Sequence, residues 1–269
     1  KQVSMLDQLK LELEDAVKKL DSMKEEIGIK AVFAFPVKET WVTGLHLSNA
    51  VLAQEYDNVN DAFNAETVEY KYGEGFKKLV DLQNDYSVQP TLSLDYSQQV
   101  EQLFSSEKVA LIQQGNWAYG SIAGVNGDLA ENIGFIPLSV AGGTGDSIPV
   151  GVPMYWGVNK QLDEEVVVEA KKFLNWMYTS ETGKRYVLEE FKFIPAYEGY
   201  DISKVSDPLA RDILDFSARG KTLPWVFMGY PTGWGMNVLG VDIQKYVADK
   251  MTWDELITHT TEEWEKARQ

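Results

Sequence analysis

Apolar residues recur at three- and four-residue steps from the start of the chain. Leu6, Leu9, Leu13, Ala16, Val17, Leu20 and Met23 form one stripe, the pattern of an amphipathic helix. Gly28 follows, a residue type that readily takes the left-handed conformation just past a helix C-terminus. The apolar run Lys30-Ala31-Val32-Phe33-Ala34-Phe35, halted by Pro36, predicts a short buried strand. Helix followed by strand is the rhythm of a layered α/β domain. Further helices are predicted over residues 40–55, 72–82 and 97–104, and further strands over 109–112, 133–138 and 149–158. Asp163 is placed to cap a helix in which Val166, Ala170, Phe173, Leu174 and Met177 share a face that should meet the core. Ser180 and Pro208 open two more helices. The chain closes with helices over 236–248 and 253–267, the last begun by the capping box Thr252-x-x-Glu255. The reading is α/β, helix-rich, with short strands and no internal repeat.

Composition narrows the function. The 269 residues are 44% hydrophobic and 25% charged, a globular balance. A net charge of −16 without a basic stripe argues against a nucleic-acid partner. No cysteine is present, which removes disulfides, thiol nucleophiles and cysteine-ligated zinc, and His46 and His259 alone cannot build a multi-histidine metal centre. No metal or cofactor is therefore expected. Phosphate-cradle, dinucleotide and nucleophile-elbow motifs are also missing: the segment Gly142-Gly143-Thr144-Gly145 lacks the Lys-Ser/Thr pair a phosphate loop needs, and reads as a turn. Acidic side chains are plentiful, so a hydrolytic carboxylate pair stays open as an alternative, with Glu39 and Asp146 as the residues that could be cast in it.

The chain holds 8 Trp, 13 Tyr and 11 Phe, and the placement of the tryptophans says more than their number. Trp176, Trp253 and Trp264 fall within amphipathic helices and are expected in the core. Trp41, Trp117, Trp156, Trp225 and Trp234 fall at strand ends and in loops, where α/β folds place ligands. A pyranose ring has a face of C–H groups that lies flat on an indole, and edge hydroxyls that need polar partners. Loop-borne aromatics beside acids and amides therefore point to a sugar.

A series of short motifs extends over residues 107–196. Glu107-Lys108-Val109-Ala110-Leu111 leads to Gly115-Asn116-Trp117, then Ile133-Gly134-Phe135 and Pro137, then Pro149-Val150-Gly151-Val152-Pro153. Ala170-Lys171-Lys172-Phe173-Leu174, Thr179-Ser180-Glu181-Thr182-Gly183-Lys184 and Ile194-Pro195-Ala196 complete it. In order and spacing this series resembles family 1 extracellular solute-binding proteins, the sugar receptors of bacterial ABC importers. The resemblance implies a type II periplasmic-binding-protein-like fold, in which two α/β lobes with short mixed sheets close on a sugar. It implies a non-enzymatic monomer, with no cofactor, that delivers a saccharide to a membrane permease. The location would be extracellular, whether lipid-anchored at the cell surface or periplasmic. A sensing or adhesion receptor on the same scaffold is the remaining alternative. Similarity to the maltose-receptor group implies ligand roles for Trp117, Trp41, Trp234 and Glu39, with Tyr155, Trp156, Tyr230 and Asn116 completing the candidate set. Against the family pattern the chain is expected to start well inside the second lobe. Residues 1–154 would form the main part of that lobe, 155–200 the segment returning to the first lobe, and 201–269 the helices that complete the second.

Overall fold

The computed structural model describes residues 13–195 and 197–269. Leu6, Leu9 and Ala196 lie outside the described residues. Helix Leu13–Ser22 buries Ala16, Val17 and Leu20 as its periodicity requires, and after a break at Met23 the turn Lys24–Ile27 ends at Gly28 with φ 80°. Strand β1, Ala31–Phe33, then enters the interior with all its side chains buried. It pairs in parallel with β2, Val109–Leu111, placing Ala31 opposite Val109 and Phe33 opposite Leu111. A second parallel pair joins β3, Ile148–Val150, to β4, Thr222–Pro224. Strands buried on both faces read as continuous apolar runs, which is why β1 and β2 were visible in the sequence.

Three expectations are corrected here. Residues 133–138 form no strand, and of 149–158 only the first positions belong to β3. The strand β4 carries no strong β-pattern of its own: Thr-Leu-Pro between a helix and a loop is extended because it pairs with β3. The third correction concerns helix Glu164–Thr179. Its apolar stripe does not reach a core: Met177 is buried, but Phe173 is 58% exposed, and Val166 and Trp176 are also exposed. Asp163 stands at its N-cap position without a side-chain bond to the helix. Amphipathicity identifies a face that can be covered; it does not supply the cover.

The main core lies under the C-terminal helices. Trp264 and Trp234 are fully enclosed with their rings edge-on, 4.8 Å between centroids, and Phe35, Leu47, Ile243 and Leu256 fill the space around them. Helix Trp253–Arg268 is fixed at its start by the Thr252–Glu255 capping box and brings Trp253 and Trp264 inward as expected. The helical segments Val42–Leu47 and Gly235–Leu239 cross so closely that a Cβ at Gly44 would stand 1.8 Å from the Gly235 carbonyl oxygen. Alanine ordinarily stabilises a helix interior relative to glycine by about 1 kcal/mol. Gly44→Ala should invert that sign and destabilise the protein by about 2 kcal/mol, because backbone rather than a mobile side chain must yield; denaturant unfolding measures it.

Glu55 gives the core a pH dependence. Burial pushes its carboxyl up to about 7, against the opposing backbone N–H bonds of Tyr72 and Lys71. A folded-state value raised above the unfolded 4.5 means stability that is fully present below pH 4.5 and lost as pH rises through about 7. Glu55→Gln removes this loss, so its melting temperature should exceed that of the parent at pH 8 and not at pH 4.5, as calorimetry at the two values would show.

Candidate functional site

Three tryptophans leave the C-terminal ends of parallel strands and meet. Beyond β1 the chain turns at Pro36 and delivers Trp41 to the start of segment Val42–Leu47. Beyond β2 it extends through Gln113 and Gln114 to Trp117 in the turn Asn116–Ala118. Beyond β4 it reaches Trp225 directly. The ring centroids of Trp41 and Trp117 are 6.2 Å apart with the planes at 57°, and those of Trp117 and Trp225 are 6.4 Å apart.

The ring His46 fills the angle between them. Its centroid lies 5.0 Å from Trp117, 5.4 Å from Trp225, 5.7 Å from Trp41 and 4.9 Å from Phe227. Trp41 and His46 are five positions apart. An ordinary α-turn would swing them past one another, but the widened turn of Val42–Leu47, bonded in the i→i+5 manner, aligns them. Burial among these rings lowers the imidazole to about 4, so His46 is neutral at physiological pH.

Two of the three indoles are held from behind. The Trp41 Nε1 donates to Glu39 Oε2 at 3.0 Å, and Glu39 Oε1 accepts from the Tyr96 backbone N–H at 3.2 Å. Trp117 Nε1 donates to Gln114 Oε1 at 2.9 Å; Gln114 donates to Gln99, and Gln99 to the carbonyl of Ala34, each at 2.7 Å. This relay ties the exposed ring to the strand-end backbone. Glycine makes both placements sterically feasible. A Cβ at Gly115 would fall 2.2 Å from the Trp117 ring, and one at Gly151 would fall 2.5 Å from that of Trp225.

These aromatics line a groove of about 2160 Å³. Asn116, Trp117, Trp41, Tyr155 and Trp156 all line it, the last two 76% and 61% exposed. Trp156 Nε1 donates to the Tyr178 hydroxyl at 2.6 Å. A smaller space of about 280 Å³ opens among Trp41, His46, Trp117, Trp225, Phe227 and the neighbouring Pro153 and Met228.

The structure therefore gathers Trp41, Trp117, Asn116, Tyr155 and Trp156 around one groove, and it separates the other candidates from it. Trp234 is 2% exposed and donates its Nε1 to the Thr260 carbonyl at 2.8 Å. Tyr230 is buried against Trp264, its hydroxyl sharing a hydrogen bond with Ser48 Oγ at 3.1 Å. Both are core residues: the helix Trp253–Arg268 closes over their loop, so neither ring has a face left for a ligand. Glu39 is not part of the groove lining; its carboxylate holds Trp41. Asp146, the other acid considered for hydrolysis, pairs with Lys221 at 2.6 Å away from the groove. Nothing in the sequence marks His46, since a lone histidine signals at most a metal ligand. Trp225 was singled out as a loop tryptophan but not placed in the site. Among the described residues no cluster of His, Asp or Glu could hold a metal ion, and no helix is long and apolar enough to cross a membrane.

Residues 6–184 match the family described as bacterial extracellular solute-binding protein. Among curated proteins none matches the chain. Several solved structures share the fold. One is named a chitin oligosaccharide binding protein, with a TM-score of 0.76 and 23% identity, covering 98% of this chain and 67% of its own. A second comes from work on xylan utilization by the thermophilic bacterium Caldanaerobius polysaccharolyticus, with a TM-score of 0.63 and 15% identity over 97% of this chain and 68% of its own. A third, a binding protein of Bacillus subtilis subsp. subtilis str. 168 in an open conformation, has a TM-score of 0.65 and 18% identity over 98% and 68%. The fold is thus the helix-rich, periodic helix-and-strand architecture of the periplasmic-binding-protein type.

Proposed function

This chain belongs to the bacterial extracellular solute-binding proteins, and from that premise we propose that it binds a mono- or oligosaccharide reversibly and hands it unchanged to an ABC-transporter permease. The observation that carries the reading is the convergence of Trp41, Trp117 and Trp225, from beyond β1, β2 and β4, on one groove. The inclined indoles of Trp41 and Trp117 offer faces to the C–H side of a sugar ring, and the groove-lining amides of Asn116 and Gln113 suit its hydroxyls. Tyr155 and Trp156, which also line the groove, would add further aromatic contacts.

Lobe closure would complete the site, with ligand favouring the closed state by its extra contacts there. Residues 1–154 and 201–269 are assigned to the second lobe and 155–200 to the segment that returns to the first. The uncovered apolar face of helix Glu164–Thr179 is consistent with packing against first-lobe structure. The protein would act outside the cytoplasm, as a monomer, lipid-anchored or periplasmic. The two acids weighed for hydrolysis do not serve it: Glu39 is engaged with Trp41 and Asp146 with Lys221, and neither lines the groove.

Titration of intrinsic tryptophan fluorescence with a panel of mono- and oligosaccharides tests the proposal. A saturable change with one sugar class is expected, together with recovery of the sugar intact by chromatography. No change with any saccharide at millimolar concentration would overturn carbohydrate binding, and shortened products would overturn the receptor reading in favour of the hydrolase.

A further inference from the structure

The small space beside the groove differs from the groove in its chemistry. Trp41, His46, Trp117, Pro153 and Trp225 border both, so a ring lying in the groove can direct a substituent into the space without moving. The walls are aromatic rings, a proline and the Met228 thioether. The indole N–H groups of Trp41 and Trp117 are already donated to Glu39 and Gln114. Two residues of its walls carry side-chain polar groups with no hydrogen-bond partner among the described residues: His46, through its imidazole, and Trp225, through its indole N–H.

From this we infer that the space is a subsite for the acetamido group of an N-acetylated amino sugar, an assignment that rests on the carbohydrate-binding reading of the groove. The stoichiometry of polar atoms favours it. A hydroxyl-bearing ring edge turned inward would need several donors and acceptors, and each hydroxyl buried unpaired is costly. An amide substituent carries one N–H, one carbonyl and a methyl. A neutral imidazole and an indole N–H can satisfy the first two, and the aromatic walls receive the methyl. An ammonium substituent fits less well: no carboxylate lines the space, and the imidazole is the only nitrogen acceptor in its walls among the described residues, leaving ring faces alone to meet the charge. The volume of about 280 Å³ holds such a group while the sugar ring stays in the groove.

Calorimetric titration with β-1,4-linked tetramers of glucose, glucosamine and N-acetylglucosamine tests the subsite. The acetylated tetramer should bind about tenfold more tightly than the glucose tetramer, the effect of one buried methyl and one matched amide. In Trp225→Ala and in His46→Phe the ratio between those two ligands should fall below about threefold, with melting curves recorded to confirm that each variant is folded. Equal binding of the glucose and acetylated tetramers by the parent protein overturns the subsite while leaving the carbohydrate reading intact. Tightest binding of glucosamine identifies a cation cage and also overturns it. Retention of the full ratio in both variants places the acetamido group elsewhere. Absence of binding by all three, and by the wider saccharide panel, removes the underlying reading as well.

Discussion

Trp234→Ala should lower folding stability by about 4 kcal/mol and leave the dissociation constant for sugar unchanged when measured well below the melting transition. Truncation of a fully buried aromatic costs about 3–5 kcal/mol through lost burial and the cavity left behind. Here the indole is 2% exposed, packs edge-on against Tyr230 and Trp264 at 5.1 and 4.8 Å, and satisfies the Thr260 carbonyl at 2.8 Å. That carbonyl loses its indole partner in the variant, which adds to the loss. Denaturant unfolding gives the first quantity and calorimetry the second. A ligand role for this residue would produce the opposite pattern: weakened binding at nearly constant stability.

Trp117→Ala should weaken binding strongly with a smaller loss of stability than Trp234→Ala. The ring is 39% exposed and otherwise packs on Trp41, His46 and Trp225, so its removal should lower stability by about 2 kcal/mol. Loss of an aromatic face of roughly 80 Å² from the sugar contact should cost about 2 kcal/mol, a roughly thirtyfold rise in Kd. Gly115→Ala supplies an independent check. Its new methyl would occupy the place of the Trp117 ring, 2.2 Å from the present atoms, and should weaken binding similarly although the tryptophan is still there. Unaltered affinity in both variants would mean that the ligand does not rest on this ring.

Placement of the same residue type explains what could be read in advance. Trp41 and Trp117 were legible because each follows a continuous apolar run and a breaker, the pattern of a buried strand giving way to a loop at the ligand-bearing end. Trp225 follows a strand whose residues have no such pattern and which is extended by pairing with β3. Trp234 sits in a loop by sequence and in the core by structure, because the helix Trp253–Arg268 folds back over it. His46 joins the aromatics only through the widened turn after Trp41, and no local residue pattern announces that turn.

Legible in the sequence were most of the helices, the buried character of β1 and β2, the cap at Thr252, the lack of thiol or multi-histidine chemistry, and the likeness to solute receptors. These follow from periodicity, composition and motif order, which act between residues near one another in the chain. Tertiary structure alone decided which tryptophans face the groove, that Glu39 steadies Trp41, that Gly44 and Gly235 must stay bare, and that His46 is neutral within a ring of aromatics. Each of these depends on elements distant in sequence meeting in space, where the burial of one group is set by the surface of another.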